Sequence, residues 1–328
     1  MPSRRGLAIP IVVSVALLLI SPSSATYAGD KPLETVFQEN LSGGYLFSLG
    51  NGTYSGAIDA GDTYPVAFEI ELPADATVRY QRFYVYWSWS KLDQNAIYPS
   101  TALTRTDTGE RLDMTGRYVD SKGFVSSNDF FSGMDIFETT DLQPGSNSFT
   151  VVLENAAEDN RTFVVQGIGM LVVYESPDSP ESICWVKEGA DLLYNSYGIT
   201  PAMATSRIDF EGAVTRSELS SAELFLVAPS GGYTRENIPE INRLFVNREG
   251  ESSMPSFFGS IISALFPGSN GKEWLNVFDA DELRQVGIDC RDVLPYLRSG
   301  NNFAAVQDEK DYMVLTNAVL WAEKEVIR

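Results

Sequence analysis

The sequence predicts an all-β protein: two tandem β-sandwich domains, jelly-roll-like, behind a signal peptide. Several stretches alternate apolar and polar residues with period two, as half-buried strands require. A Leu-x-x-Gly-x-Asn turn occurs twice, at Leu142 to Asn147 and at Leu297 to Asn302, each copy before the last apolar strands of a β-rich block. Gly and Asn tolerate positive φ at little steric cost, so both copies read as hairpin corners. The N-terminus carries a basic pair, a short apolar run and small residues.

That leader comes first. Arg4 and Arg5 precede an apolar run from Leu7 to Ile20, and Ser21 to Ala28 is small and polar. The run is shorter than the roughly 18 apolar residues of a spanning helix. Residues 1–28 therefore read as a signal peptide, with Ser23-Ser24-Ala25 or Thr26-Tyr27-Ala28 at the cleavage site. The alternative is an uncleaved anchor. No later segment is long and apolar enough to span a bilayer, so the mature chain is expected to be secreted, extracellular and at the cell surface.

The first sandwich is expected over 29–176. Val66, Phe68, Ile70 and Leu72 share one strand face; Phe83, Val85, Trp87 and Trp89 share the next, with Tyr84 and Tyr86 opposite. Ser100 to Asp129 is polar, with a turn at Asp107-Thr108-Gly109. Val164 to Tyr174 is almost continuously apolar, as in a sandwich centre. Ser176-Pro177-Asp178-Ser179-Pro180 marks the boundary. The second sandwich, 181–328, opens on Ile183-Cys184-Trp185-Val186. Ile208 and Phe210 read as a short strand, and Ala222, Leu224, Leu226 and Ala228 alternate. Trp274 to Phe278 and Met313 to Glu323 read as strands, and Asp281 to Val286 as a helical turn. An apolar insert at 254–266 departs from this pattern: Phe257, Phe258, Ile261, Ile262, Leu265 and Phe266 recur at helical spacing. It either caps the core or offers Phe257, Phe258 and Ile262 to a partner.

Composition narrows the chemistry. The chain has 328 residues, 44 acidic against 24 basic, a net charge of −20 and no histidine. Such a charge repels nucleic acid and anionic membranes. Without histidine there is no Ser-His-Asp or Cys-His catalysis and no His-ligated zinc. A carboxylate pair remains chemically open, but 44 acidic residues nominate no pair. Structural calcium is the fitting ligand for Asp279, Asp281 and Glu282, with Asp289 and Asp292 nearby and Asp308, Glu309 and Asp311 as a second group; solvated turns are the plainer reading. No cofactor is indicated. Cys184 and Cys290 are an even pair in an exported chain, which favours a disulfide over two free thiols. Asn40, Asn51 and Asn160 open N-x-S/T glycosylation sequons. Tyr84 and Tyr86, on the face away from Phe83, are candidate exposed ligand contacts, since tyrosine rings stack on sugars.

Several stretches together resemble a known family: Lys31 to Val36, Gly43-Gly44-Tyr45, Arg82 to Trp87, Leu171 to Glu175, Ile183 to Tyr194, and the Leu297 to Asn302 turn with the final strand. In this order they resemble the secreted methanogen-archaeal group called domain of unknown function three-three-four-four, across nearly the whole mature chain. That pattern has His where this chain has Ala190, which speaks against a metal ligand there. The resemblance implies an extracellular archaeal β-protein found beside surface-layer or adhesion modules, and no established activity. The expected function is a non-catalytic structural or adhesive cell-envelope protein, partnered by itself or other envelope proteins. The alternative is a pair of carbohydrate-binding modules recognising polysaccharide; an enzyme using two carboxylates comes third.

Overall fold

The structure, a computed structural model, describes residues 30–91, 98–122, 130–139, 142–159, 161–196, 199–233, 241–248 and 271–325. The expected signal peptide and the insert at 254–266, with Phe257, Phe258 and Ile262, lie outside them. The described chain is all-β and antiparallel. Its first half holds β1 (Glu34–Ser48), β2 (Ala57–Ile58), β3 (Thr63–Leu72), β4 (Thr77–Lys91), β5 (Thr101–Arg105), β6 (Arg111–Leu112), β7 (Met114–Asp120), β8 (Phe130–Glu138), β9 (Gly145–Asn155) and β10 (Phe163–Glu175). The second half holds β11 (Glu181–Tyr194), β12 (Thr205–Phe210), β13 (Leu219–Pro229), β14 (Asn242–Val246), β15 (Lys272–Leu275), β16 (Val286–Asp292), β17 (Asn302–Asp308) and β18 (Tyr312–Lys324).

Period two does its work in β3, where Val66, Phe68, Ile70 and Leu72 are buried while Glu69 and Glu71 face solvent. In β10 every residue from Phe163 to Val173 is buried, because both faces of this strand are covered. The polar stretch from Ser100 supplies β5, β6 and β7, with Gly109 at φ +70° in the expected turn. Asp281 to Val286 is not helical: it is a turn running into β16.

Strand pairing shows how the halves relate. One sheet runs β3-β9-β5-β6 and another β12-β17-β14-β15. The remaining strands form the path β16-β13-β18-β11-β1-β10-β4-β8-β7, with β2 also on β10. The order β8-β4-β10 of the first half repeats as β16-β13-β18 in the second. The join is β1, whose residues 34–42 pair with β11 and whose residues 43–48 pair with β10. The switch falls at Gly43, where a Cβ would lie 1.8 Å from the carbonyl oxygen of Tyr174. Only glycine lets the two backbones come so close.

Among the described residues three large apolar cores separate the layers, beside a small cluster of Ala190, Leu192 and Val314. One lies between β3, β9, β5 and the inward faces of β4 and β10, with Phe68, Phe83 and Phe149 in mutual contact at 5.5–5.9 Å between ring centres. A second lies between β12, β14, β17 and β11, β13, β18. The third joins the opposite faces of the two inner layers: Tyr84, Tyr86, Met134, Leu171 and Val173 against Cys184, Val186, Phe225, Val319 and Trp321. Ser176 to Pro180 is a turn between β10 and β11, and the blocks on either side of it are packed together rather than strung apart.

The repeated turn has a shared mechanism. Asn147 Nδ2 donates to the carbonyls of Gln143 and Gly145 at 2.8 and 3.0 Å, and its Oδ1 accepts the Gln143 N–H at 3.0 Å. Asn302 Nδ2 donates to Arg298 and Gly300 at 3.1 and 2.8 Å, and its Oδ1 accepts the Arg298 N–H at 2.8 Å. Leu142 and Leu297 are buried beneath the two turns. Gly145 has φ +86°, whereas Gly300 lies outside the left-handed region. The asparagine clasp, more than the glycine, is what the copies have in common.

Candidate functional site

The most organised polar structure lies inside the molecule, in the seam between the two inner layers. Glu188 on β11 is fully buried and accepts hydrogen bonds from the hydroxyls of Tyr84, at 2.6 Å, and Tyr80. Arg82 donates to it at 2.8 Å and also reaches Glu138 at 2.8 Å. The Tyr80 and Tyr84 hydroxyls are 3.0 Å apart, and Tyr86 donates to Asn317 Oδ1 at 2.8 Å. Burial, then the charge of Glu188, pushes the Tyr84 and Tyr86 phenols far above their ordinary range. Burial disfavours the Arg82 cation, but Glu188 outweighs it and holds the guanidinium charged.

The expectation that Tyr84 and Tyr86 are exposed is therefore wrong. Both are fully buried, because the face of β4 opposite Phe83 is covered by the second half of the chain. Sugars cannot reach them.

A second charged cluster closes one end of the seam. Lys122 Nζ sits between Asp120 Oδ2, at 3.2 Å, and Asp191 Oδ1, and the three side chains are at most 1% exposed. Asp120 Oδ1 accepts the N–H groups of Ser121 and Lys122 at 2.8 and 2.9 Å; its Oδ2 accepts that of Leu192 at 2.9 Å. Lys31 approaches from the N-terminal segment, its N–H 3.2 Å from Asp191 Oδ1 and its ammonium 3.6 Å from Asp120. Burial raises the Asp191 carboxyl; burial lowers the Lys122 ammonium, but the two carboxylates overcome it and leave Lys122 raised.

The remaining nominated residues do not converge. Cys184 and Cys290 are free thiols, so the expected disulfide is absent. They lie on β11 and β16, three strands apart across β18 and β13. At about 4.8 Å per strand that separation is far beyond the roughly 7 Å limit for a bridge. Cys290 is exposed at its surface, and partial desolvation with the neighbouring Glu223 carboxylate raises its thiol. The calcium cage is also absent: among the described residues no three His, Cys, Asp or Glu side chains are placed to hold a metal. Asp279 makes a bridge to Ile288, and Asp281 Oδ1 accepts the N–H groups of Leu283 and Arg284, both at 2.7 Å, so with Glu282 they form a turn. Asp308 and Asp311 are instead buried, and desolvation raises them to about 7 and about 6. Of the sequons, Asn40 is exposed on β1, Asn51 is exposed in a turn with its Oδ1 accepting the Ala67 N–H at 2.8 Å, and Asn160 lies outside the described residues.

An open cleft of about 470 Å³ lies at the outer end of the first half, lined by Tyr98, Met114, Arg117 and Arg161 among others. Tyr98 and Met114 are 37% and 45% exposed. Arg117 donates to Asp135 through two nitrogens, each at 2.6 Å, and to the Pro99 carbonyl at 2.8 Å; Arg161 donates to the Tyr98 carbonyl at 3.0 Å. Sequence pattern had not marked this cleft, since its residues come from three separate segments.

Residues 26–323 match the family described as Protein of unknown function (DUF3344), and the chain belongs to that family. No curated protein matches the chain in sequence. Among solved structures it is similar to the major capsid protein P2 of bacteriophage PM2, at 7% identity and TM-score 0.21, over 89% of this chain and 99% of that one. PNGase F, a glycosylasparaginase from Flavobacterium meningosepticum, matches at 12% identity and TM-score 0.22, over 86% and 97%. The mavirus major capsid protein matches at 10% and 0.19, over 98% and 93%. Scores this low carry no argument about fold or role. No helix among the described residues is long and apolar enough to cross a membrane.

Proposed function

We propose that the chain is a non-catalytic structural or adhesive protein of an extracellular cell envelope, built as two jelly-roll-like sandwiches in tandem. The observation that supports this reading is the seam. Buried charged and hydroxyl groups bond one half to the other, through Glu188 to Tyr80, Arg82 and Tyr84, and through Tyr86 to Asn317. Directional bonds of that kind fix the relative position of two apolar surfaces that would otherwise slide. A protein whose work is to hold a shape benefits from this, and such a protein is held in place by copies of itself or by envelope partners. The test is the solution mass of the full chain by light scattering across concentration, with calcium and then with chelator. Growth into large species is expected; a monomer under every condition overturns the assembly role.

The second reading is carbohydrate binding, and the cleft at Tyr98 favours it: an exposed ring stands beside two arginines whose planes are fixed by Asp135 and Asp159. A flat ring with rigid polar neighbours suits a sugar face. Tyr98→Ala should weaken binding to an envelope polysaccharide by at least about tenfold, on the order of 1.4 kcal/mol. Unchanged binding removes the cleft from consideration.

A further inference from the structure

We propose that the Lys122 amine and the Asp191 carboxyl become joined by an intramolecular isopeptide bond, with Asp120 as the proton-transferring group. The geometry of an amide-forming site is present before any bond is made. One amine touches two carboxylates, the three side chains come from β7, the turn after it and β11, and all are shut away from water. The backbone aims the amine inward: Lys122 has φ +52°, a conformation rare outside glycine, held by Asp120 Oδ1 accepting the N–H groups of Ser121 and Lys122. The neighbouring amine does not compete. Lys31 contacts Asp191 only through its backbone N–H, its ammonium being on Asp120 and the Val119 carbonyl.

The arrangement is also energetically awkward as a plain ion pair. Asp191 Oδ2 is buried, and the Ser206 hydroxyl beside the carboxyl gives it at most a poorly formed hydrogen bond. A buried carboxylate so weakly matched is costly, and so is keeping ions in a dry site. Amide formation removes one positive and one negative charge and expels one oxygen as water.

The step balances without a co-reactant. Proton transfer within the pair gives a neutral Lys122 amine and a protonated Asp191 carboxyl. The nitrogen lone pair attacks Asp191 Cγ and a C–N bond forms. The surplus proton on nitrogen passes through Asp120, which touches that nitrogen, to the departing hydroxyl. The Cγ–O bond breaks and one water leaves. Nothing is oxidised or reduced. Burial raises Asp191 in the sense the step needs, whereas the two carboxylates hold Lys122 charged, so the proton transfer is the uphill part of the step and a slow reaction is expected.

The experiment is a digest of the full chain, unfolded in denaturant first so that ion pairs separate, and read by mass spectrometry. The expected product is a branched peptide joining the Lys122 and Asp191 segments, lighter than their sum by one water. Separate, unlinked peptides from wild-type protein overturn the proposal, and this readout requires no variant to fold. Asp120→Asn should slow appearance of the branched peptide by about a hundredfold, within the range of general acid–base effects. Linkage at the wild-type rate in that variant removes Asp120 from the chemistry.

Discussion

The outer cores and the middle seam answer the same packing problem differently. Each outer core is a cluster of apolar side chains within one half, such as Phe68, Phe83, Val151 and Leu153 in the first. Groups of this kind tolerate repacking as long as volume and pattern are kept. The seam is also apolar in its middle, with Leu171, Val173, Val186 and Val319, but it is pinned by Glu188, Arg82 and Asn317. The sheets of an outer core are connected repeatedly by hairpins and crossovers. The inner layers are connected by β1 and one turn, so side chains must supply the register that connectivity does not.

The comparison can be broken at its strongest point. Glu188→Ala should cost about 3–5 kcal/mol, because Arg82 and two phenols are left around an empty position. The triple variant Glu188→Met, Arg82→Leu, Tyr84→Phe should stand well above it, since replacing the carboxylate, its cation and the buried Tyr84 phenol together by apolar groups is commonly near neutral, only the half-buried Tyr80 hydroxyl being left. Urea midpoints decide; a triple as unstable as the single would mean that the seam is held by its charges and not merely aligned by them. In an outer core, Phe68→Ala should cost a similar amount, about 3–5 kcal/mol, through the cavity alone. Smaller effects separate the repeated turns. Asn302→Ala should cost about 1–3 kcal/mol, because Asn302 is buried and also accepts from Asn247, while Asn147→Ala, half-exposed, should cost about 1 kcal/mol. Equal losses would make the two clasps equivalent despite their different burial.

A further contrast with the seam is in pH. Asp308 and Asp311 are raised in the folded state to about 7 and about 6, above the unfolded value of roughly 3.9. The folded state therefore binds more protons, and their contribution to stability is full below the unfolded value and lost as pH rises through 6–7. Denaturant midpoints should fall between pH 4.5 and 7.5 on that account, and Asp308→Asn should flatten the slope. A slope unchanged in the variant would assign it to the net charge of the chain.

The strands were legible because period two is a direct imprint of one buried face. β3, β4, β10, β13 and β18 all lie where alternation or a continuous apolar run placed them. What alternation cannot report is a second cover. Tyr84 and Tyr86 looked like a solvent face because their hydroxyls are polar, yet the layer that buries them begins about a hundred residues later, and Tyr84 finds its partner at Glu188. Arg82, beside the apolar run Phe83 to Trp87, and Glu188, between Val186 and Leu192, were the available clue. The two cysteines misled because an even count says nothing about distance. The Tyr98 cleft left no local pattern at all.

The position of β18 has a consequence for how the chain comes into being. This strand ends at Lys324, yet it lies between β11 and β13, both made long before it. Until it arrives, the second half has a gap in the middle of its inner layer, and two long strands show unpaired edges to anything nearby. The second half cannot close progressively as it is synthesised; β18 is its keystone. A product cut short before Tyr312 would not be a smaller folded protein but a sticky one, and non-local pairing of this kind is slow even when complete.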